Sequence, residues 1–460
     1  MTIKPNIIII TCHDLGTYLG CYGTPVKTPN IDALAAQGVC LANHFAPASI
    51  CSPSRGSLWT GCYPHTHELM GLLPRGWELN VDKCPPLPIL LREYGYETHL
   101  FGIQHEHWDP TQLGYDDIHP VDSTFCDDVT LVFTEWLKKQ VDNDKPFFAN
   151  IGVFEAHRIG LASQGFSEDL LGNLPSHFKR GVYDPVDSNE VSVPQFMLDT
   201  PEQHQEMADF YSAIQFLDKQ IGKILDSLDH HGQTEHTLLA FVTDHGASFL
   251  HSKGTLYDGG TKVACLMRWP GVLPSGHQIE SLTSHVDFVP TILELLDRQI
   301  PEHIQGQSFA PLAQNKPGST RSYVFAEKNY TQYFDPARMV RSGSYKYIRN
   351  GFRKGIFDFV LTEIELSPTS FRNNLDVFKF YSSKRHTEEL YDLKADPAEM
   401  RNKVHDPSYF PILEMMRIVL DTHLQETNDP FRDLRVDLHM PVDVYADVKD
   451  VRYGEDKRAA

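Results

Sequence analysis

The chain has 460 residues, and its 61 acidic against 41 basic side chains leave a formal net charge of −20. Hydrophobic residues make up 41% and charged residues 22% of the sequence, a composition that excludes an intrinsically disordered chain. The acidic balance argues against nucleic acid as a partner, because nucleic-acid-binding proteins present a basic face, and on charge alone it argues against an anionic polymer as well.

The first predicted element is the apolar run at residues 7–10. It is too short for the core of a signal peptide and no small-residue cleavage site follows it, so we interpret it as a buried β-strand. No stretch approaches the ~20 apolar residues that span a bilayer. Eight scattered cysteines without CxxC pairs are typical of free thiols in a reducing compartment. We therefore expect a protein that does not associate with membranes and that is cytoplasmic if Met1 is the natural start, or periplasmic if it is not.

The remaining elements of the first 300 residues alternate between strands and helices. Strands are predicted at residues 6–11, 98–101, 147–153, 238–243 and 263–268. Helical periodicity appears at residues 31–37, 87–94, 129–141, 202–228 and 286–296. Continuous β-rich runs separated by helices are typical of a parallel sheet covered on both faces. We predict an α/β fold with a doubly wound, mostly parallel sheet.

The pattern changes after a cluster of Pro and Gly at residues 301–317. Short strand-like segments follow at 322–326 and 345–349, and one helix is predicted at 409–424. We therefore predict two domains: a larger α/β domain at residues 1–321, and a smaller α+β domain at 322–460. The second has a short antiparallel sheet and a charged tail from residue 442.

Four of the predicted strands are followed by titratable residues. These are His13-Asp14, His105-Glu106-His107, Glu155 with His157, and Asp244-His245. One such pair alone would more often be a turn or a cap. Because the carboxyl ends of parallel strands face a common crevice, four coincidences at equivalent positions predict a single site.

Asp14 and the Asp244-His245 pair are the candidate metal ligands at this site. They are followed by Gly16 and Gly246, which permit tight turns. Carboxylate oxygens suit Ca²⁺ or Mg²⁺, whereas imidazole nitrogen favours Mn²⁺, Zn²⁺ or Fe. From residue types alone, the identity of the metal stays open.

The most specific segment is Cys51-Ser-Pro-Ser-Arg55-Gly-Ser-Leu-Trp-Thr-Gly61. Pro53 is expected at the start of a helix, where its missing N–H costs little. Cys51 then lies at the positive N-terminal end, a position suited to an anion. Arg55, one turn later, can point its guanidinium at the same anion. An isolated cysteine would more often be a buried structural residue.

This string resembles the signature of the type I sulfatases, in the alkaline-phosphatase-like superfamily: Cys-x-Pro-Ser-Arg, then Leu-x-Thr-Gly. Further matching segments lie at residues 5–16, 28–35, 253–260 and 389–397, so that the resemblance extends from residue 5 to about residue 400. Within the family, residues 154–158 and 183–187 resemble the heparan N-sulfatase (sulfamidase) branch. The resemblance implies an alkaline-phosphatase-like fold.

It also implies two reactive groups. Cys51 would be converted by a formylglycine-generating or radical maturase enzyme to Cα-formylglycine (3-oxoalanine), whose hydrate is the nucleophile. A divalent metal would be held by Asp14, Asp244, His245 and the residue made from Cys51. Ca²⁺ is the metal that the family usually binds. Position 13 is His where the family has Asp. His13 therefore either ligates through nitrogen, which favours Mn²⁺, Zn²⁺ or Fe, or lies outside the ligand set.

The other roles implied by the resemblance fall on four side chains. Arg55 matches the arginine that supports the formylglycine, and Lys253 matches a lysine that binds sulfate. His157 matches the histidine that protonates the departing atom, either alone or together with Lys253. His105 matches the histidine that removes a proton to release sulfate and regenerate the aldehyde.

One family lysine is replaced by Ile103. A cationic sulfate contact is thus missing, or Gln104 or His107 supplies it. The candidate sugar contacts are Arg75, Trp77 and Trp108. Tryptophan faces stack on sugar rings, and arginine pairs with anions.

We therefore predict a sulfatase acting on a sulfate ester or N-sulfate of a sulfated carbohydrate. One alternative is a phosphonate monoester or phosphodiester hydrolase, since such relatives can share the Cys-x-Pro-x-Arg motif and an Asp-His metal pair. Another is a catalytically silent anion-binding homologue, suggested by His13 and Ile103. Because the net charge is −20, attraction of an anion has to be local, which favours a short oligosaccharide or a chain end.

Overall fold

The computed structural model describes residues 4–141, 143, 145–159, 177–330, 334–351 and 386–432. Its strands are β1 (Asn6–Cys12), β2 (Val39–Leu41), β3 (His44–Phe45), β4 (Glu97–Gly102), β5 (Asp117–His119), β6 (Phe147–Val153), β7 (Thr237–Thr243), β8 (Lys262–Val263), β9 (Cys265–Arg268), β10 (His277–Ile279), β11 (Thr283–Ser284), β12 (Val324–Tyr330), β13 (Phe334–Arg341), β14 (Tyr345–Asn350) and β15 (Glu388–Asp392). Its α-helices are α1 (Pro29–Ala36), α2 (Cys51–Thr60), α3 (Pro64–His67), α4 (Leu87–Glu93), α5 (Cys126–Leu137), α6 (Pro201–His230), α7 (Asp258–Thr261), α8 (Phe288–Leu295), α9 (Ala310–Ala313) and α10 (Phe410–Glu426).

An eight-stranded sheet forms the centre of the molecule, in the order β10-β2-β9-β7-β1-β6-β4-β5. Its neighbours pair in parallel except at β9, which runs antiparallel to both β2 and β7. Ile8 and Ile10 of β1 face one hydrophobic core, and Ile7 and Ile9 face the other. Burying each isoleucine contributes roughly 1.5–3 kcal/mol, which is why four apolar residues in a row form this strand. The predicted doubly wound, mostly parallel sheet is confirmed.

Helices cover both faces of this sheet. On one side α1, α5 and α6 pack their apolar residues against Ile8 and Ile10. On the other side α2, α4 and α8 pack against Ile7 and Ile9. Within the described residues, none of these helices is both long and apolar enough to cross a membrane.

One predicted strand, at residues 263–268, is divided in the structure. Residues of β8 pair in a three-stranded sheet of order β11-β3-β8, whereas β9 joins the large sheet. Between them, the Ala264 N–H donates to the Gly16 carbonyl at 3.1 Å and lies 2.9 Å from the Thr243 hydroxyl oxygen. The chain thus passes from one sheet to the other at Ala264. Local apolar periodicity does not predict this break, because it depends on contacts with Gly16 and Thr243.

The C-terminal part contains an antiparallel sheet of order β12-β13-β14-β15. Helix α10 packs against it through Leu413, Met416 and Leu420, which contact Val340 and Tyr347. The predicted smaller antiparallel sheet is confirmed. The division into residues 1–321 and 322–460 stays a prediction, and the charged tail from residue 442 lies outside the described residues.

Candidate active site

The carboxyl ends of β7, β1, β6 and β4, four adjacent strands, bring the predicted residues together. At the first junction, the Asp14 N–H donates to Asp244 Oδ1 at 3.0 Å. The same oxygen accepts the His245 N–H at 2.7 Å. Oδ1 of Asp244 therefore ties the ends of β1 and β7 together, and its other oxygen, Oδ2, is left to face the site.

A buried cluster of ligand atoms surrounds Asp244 Oδ2. His13, Asp14, Cys51 and Asp244 each offer a donor atom, and these atoms lie within 4.8 Å of one another. His13 Nδ1 is 3.0 Å from Asp244 Oδ2, in a contact not aligned as a hydrogen bond. His245 Nε2 is 3.3 Å from Asp14 Oδ1. Because His245 Nδ1 faces the Gly246 carbonyl at 2.9 Å, the proton belongs on Nδ1 and Nε2 presents a lone pair.

Three buried atoms of this cluster have no hydrogen-bond partner among the described residues: His13 Nδ1, Asp14 Oδ1 and Asp244 Oδ2. Each such orphan costs about 1–3 kcal/mol, and native proteins rarely leave one. Burial lowers the pKa of His13 to about 4, so its imidazole is neutral at neutral pH. Convergence of two carboxylate oxygens and a neutral imidazole nitrogen fits a cation, with His245 Nε2 as a further ligand.

Helix α2 begins at Cys51 and carries Pro53 in its first turn, as its sequence predicts. All ten of its residues are buried, and Cys51 Sγ lies 3.2 Å from His245 Nε2. The Ser54 hydroxyl donates to the Asp244 carbonyl. The positive end of the helix therefore faces the ligand cluster, with the cysteine between them.

Arg55 lies beneath this cluster and is fully buried. Its Nε donates to Glu106 Oε1 at 2.7 Å, and a terminal nitrogen is 3.4 Å from His13 Nε2. Burial lowers the pKa of Arg55, but the carboxylates of Glu106 and Asp244 raise it by more. The pKa of Arg55 is therefore above its ordinary value. Arg55 is thus a permanent cation at the site, paired with a carboxylate.

Lys253 and His157 form the other side of the site. Lys253 Nζ donates to Asp14 Oδ2 at 2.7 Å and lies 3.1 Å from His157 Nε2. His157 Nδ1 faces the Arg158 carbonyl at 2.7 Å, which places its proton on Nδ1 and lets Nε2 accept from Lys253. Burial favours a raised Asp14 pKa, but His157, Lys253 and His245 together lower it.

His105 follows β4 and completes the group. Its ring lies 4.9 Å from the His13 ring in an edge-on contact. Burial lowers its pKa, and the positive charge of Arg55 lowers it further, so it is a neutral base. Its buried Nδ1 has no hydrogen-bond partner in the part of the chain that the structure describes.

This combination of a helix-terminal cysteine with a histidine-carboxylate cluster can be compared with known proteins. The family model described as Sulfatase matches residues 5–298. The chain belongs to the sulfatase family. A second model, described as N-sulphoglucosamine sulphohydrolase, C-terminal, matches residues 246–379. Both a metal and a formylglycine are typical of this family, and its members are hydrolases of sulfuric esters.

Two relatives and one solved structure show how far the similarity of this sulfatase extends. It is 28% identical over 471 residues to N-sulphoglucosamine sulphohydrolase of Homo sapiens, covering 93% of this chain and 91% of the relative. It is 30% identical over 435 residues to an ulvan-active sulfatase of Formosa agariphila, covering 90% and 78%. A solved 2-O GAG sulfatase has a TM-score of 0.70 at 23% identity, with 95% and 97% covered, and therefore shares the fold.

Some residues that support the sulfatase site were not predicted from the sequence. Glu106 stands in a His-Glu-His string that signals chemistry, but nothing in the string indicates that it pairs with Arg55. Behind Asp244, His285 Nε2 lies 3.1 Å from the Asp244 carbonyl oxygen, and His44 Nε2 lies 2.9 Å from His285 Nδ1. No local motif marks these two histidines, because their partners are distant in the chain.

The predicted substitutes for the family lysine are engaged elsewhere. The Gln104 amide donates to the His107 carbonyl at 2.6 Å, and its oxygen accepts the Glu106 N–H at 2.8 Å. His107 Nδ1 accepts the Asp109 N–H at 3.1 Å. Both side chains thus shape their own turn instead of pointing a donor at the cluster.

The predicted sugar contacts differ in accessibility. Trp108 is 60% exposed and lies three residues after His105. Trp77 packs on Tyr330, with ring centroids 4.6 Å apart. Arg75 is half-buried in a 3₁₀ turn. Of the two tryptophans, Trp108 has the more open ring.

Proposed function

We propose that this sulfatase uses a formylglycine made from Cys51 to hydrolyse a sulfate ester or N-sulfate on a sulfated sugar or short oligosaccharide. The observation that carries the proposal is the position of Cys51, at the start of a buried helix and 3.2 Å from His245 Nε2. Arg55, Lys253 and the ligand cluster lie around the same point. A silent anion-binding protein would have no need for the cysteine, both cations and two acids that each have a buried oxygen without a hydrogen-bond partner.

We propose that the cluster holds one divalent cation through His13 Nδ1, Asp14 Oδ1, Asp244 Oδ2 and His245 Nε2, with the modified residue 51 as a further ligand. Ca²⁺, which the sequence resemblance implies, prefers oxygen ligands throughout. Two imidazole nitrogens support Mn²⁺, Zn²⁺ or Fe²⁺ instead. We therefore favour these softer cations, because His13 Nδ1 and His245 Nε2 both face the cluster.

The proposed mechanism divides the work between charge and proton transfer. When bound, the cation would supply Lewis acidity and the modified Cys51 a hydroxyl nucleophile. Asp244 helps to remove the proton of that hydroxyl as its oxygen attacks sulfur. Arg55 and Lys253 stabilise negative charge on the sulfuryl oxygens. The Lys253–His157 pair holds a proton between Nζ and Nε2, 3.1 Å apart, and delivers it to the departing oxygen or nitrogen. His105 Nδ1 accepts the proton of the remaining hydroxyl as sulfate leaves.

The proposed substrate class rests on the relatives and on charge. One relative is named for N-sulphoglucosamine and another for ulvan, which supports a sulfated carbohydrate with either an N- or an O-sulfate. The molecule carries a net charge of −20, so attraction of the anion is confined to the site. We propose a short oligosaccharide or a chain end, with Trp108, an exposed ring three residues after His105, as a sugar contact.

Conversion of Cys51 requires a partner enzyme, and we propose a formylglycine-generating or radical maturase. Because Cys51 is only 3% exposed, the maturase would act before α2 is buried. The cytoplasmic location stays a prediction, supported by eight cysteines, all within the described residues, that form no disulfide there. Co-expression with a maturase, followed by intact-mass analysis of the Cys51 peptide, tests this step. Active protein that contains only the thiol would contradict it.

Turnover of matched aryl substrates tests the proposed reaction. We expect the maturase-treated protein to hydrolyse an aryl sulfate or an aryl sulfamate faster than an aryl phosphodiester. Cys51→Ala should abolish turnover, because it removes the nucleophile, whereas Cys62→Ala, two residues after the same helix ends, should retain it. Dominant phosphodiester hydrolysis would favour the phosphonate monoester or phosphodiester hydrolase. Equal activity of the two alanine variants would exclude the mechanism.

A further inference from the structure

The position of the Lys253 ammonium is set by the backbone of its loop. Lys253 is fully buried. Its N–H donates to the Ala247 carbonyl at 3.1 Å, and the next N–H, of Gly254, donates to the Ser49 carbonyl at 2.8 Å. Ser49 lies two residues before Cys51. A shift of this loop would therefore move the ammonium relative to the nucleophile.

The C-terminal sheet contacts this loop first at Tyr257. The Tyr257 hydroxyl donates to Glu389 Oε2, on β15, at 2.8 Å. The Tyr391 hydroxyl donates to the same oxygen at 2.7 Å, and the Asn350 amide donates to Oε1 at 2.6 Å. Glu389 is 5% exposed, and hydrogen bonds to a buried carboxylate are among the stronger ones. These contacts show what the segment at residues 389–397, which resembles a family segment, does in the structure: its first residue, Glu389, binds the Lys253 loop.

A second set of contacts holds Asp258, the next residue of the loop. Its carboxylate binds Arg341 of β13, with both nitrogen–oxygen distances at 3.0 Å. Lys346 of β14 lies 2.6 Å from the same carboxylate and also donates to the Leu256 carbonyl at 3.1 Å. Lys346 is fully buried, so this ion pair is screened little by solvent.

A third set comes from the turn after β15. The His251 Nε2–H donates to the Ala398 carbonyl at 3.0 Å, and the Asp258 N–H donates to Glu399 Oε2 at 2.5 Å. The His251 ring also stacks on Tyr257 at 3.8 Å. Both sides of Lys253 in the loop are thus attached to the C-terminal part of the chain.

We infer that the C-terminal antiparallel sheet positions Lys253 for the sulfate group, by fixing its loop at Tyr257 and Asp258. The inference rests on the proposed function, in which Lys253 contacts the sulfuryl oxygens. Tyr257, Asp258, Lys346 and Glu389 are positioning residues, since they act through Lys253. A displacement of about 1 Å at a reacting centre can cost ~100-fold in rate, so small movements of the loop matter.

Two tyrosines provide a matched test, because both hydroxyls donate to Glu389 Oε2. Tyr257→Phe and Tyr391→Phe make the same chemical change at the same carboxylate, but only Tyr257 belongs to the Lys253 loop. We expect similar losses of thermal stability. We expect Tyr257→Phe alone to lower kcat/KM for an activated aryl sulfate by ~10- to ~100-fold and to weaken inhibition by inorganic sulfate. Equal kcat/KM values for the two variants would overturn the inference.

A double-mutant cycle tests whether Tyr257 acts through Lys253. If it does, adding Tyr257→Phe to Lys253→Ala should reduce kcat/KM no further, because the ammonium is already gone. An undiminished effect of Tyr257→Phe in that background would overturn the inference. Wild-type activity of Lys253→Ala would instead overturn the proposed role of Lys253. The two failures are therefore distinguishable.

Discussion

At the scale of single residues, both cations of the site are already neutralised by carboxylates. Arg55 pairs with Glu106 at 2.7 Å, and Lys253 pairs with Asp14 at 2.7 Å, all four side chains being buried. Removing one partner of such a buried pair typically costs about 3–5 kcal/mol, which explains why each cation is accompanied by an acid. The net positive charge that a sulfate needs would then come from the proposed cation.

The choice of cation depends on His13, because it replaces a carboxylate by an imidazole. We expect His13→Asp to shift the preference of the metal-free protein from Mn²⁺ or Zn²⁺ towards Ca²⁺, since an oxygen ligand suits the harder ion. Calorimetric titration of each metal into protein that has been stripped with a chelator measures the shift directly.

Asp14→Asn serves as the control for this experiment. It removes a charged ligand whichever ion binds, so it should lower the affinity for both metals without changing which metal binds more tightly. If His13→Asp leaves the ratio of the two affinities unchanged, His13 lies outside the ligand set.

That the residues of the proposed cation site lie together could be predicted from the sequence, whereas the residues that support them could not. His13, Asp14, Asp244 and His245 follow buried strands, and the geometry of a parallel sheet brings such positions together. Glu106 meets Arg55, 51 residues earlier, only after α2 and β4 have packed. Local pattern carries no information about such a pairing.

At the scale of elements, helix α2 is positioned at both ends. Its last residue is followed by Gly61 in the left-handed conformation, with φ of 70°. A Cβ there would lie 2.9 Å from Ile304 Cγ2 and 3.2 Å from the Val286 carbonyl oxygen. Gly61 thus permits both the turn and the close approach of the loop that follows α8.

We expect Gly61→Ala to destabilise the protein more than Gly23→Ala. Gly23 has φ of 84° and nothing within 4 Å of its added Cβ, so its cost is the left-handed conformation alone, about 1–2 kcal/mol. Gly61→Ala adds crowding, worth typically about 1–3 kcal/mol more. Urea denaturation of the two variants measures the difference. Equal midpoints would show that the neighbours of Gly61 move aside without cost.

The long elements could be predicted more fully than the short ones. Strand β6 has the predicted bounds, and β1 and β7 extend by one residue, because continuous apolar runs mark strands buried on both faces. Strands β3, β8 and β11 have two residues each, too few for any periodicity. The antiparallel direction of β9 was also unpredictable, since it depends on its neighbours and not on its own residues.

At the scale of the whole molecule, many of the 23 histidines are structural. His67, His251 and His423 are all less than a tenth exposed and lie away from the ligand cluster. Burial lowers the pKa of each to about 3. The unfolded chain therefore takes up protons below about pH 6.5 that the folded chain does not. These residues do not reduce the free energy of unfolding above that pH, but they reduce it increasingly as the pH is lowered.

Glu399 acts in the opposite direction. Burial raises its pKa to about 7, so between about pH 7 and 4.5 the folded state binds a proton that the unfolded state does not, and acidification stabilises. Each group contributes at most about 1.4 kcal/mol per pH unit. Three histidines outweigh one glutamate, and we expect the free energy of unfolding to decrease from about pH 6.5 to 5.

Two variants separate these contributions in urea titrations at several pH values. His423→Phe keeps an aromatic ring against Phe325, which stacks on His423 at 3.7 Å, and removes one buried imidazole. We expect it to make the pH dependence shallower by up to about 1.4 kcal/mol per pH unit. Glu399→Gln removes the opposing group and should make the dependence steeper. If both variants retain the wild-type slope, the acid sensitivity of the fold arises from other groups.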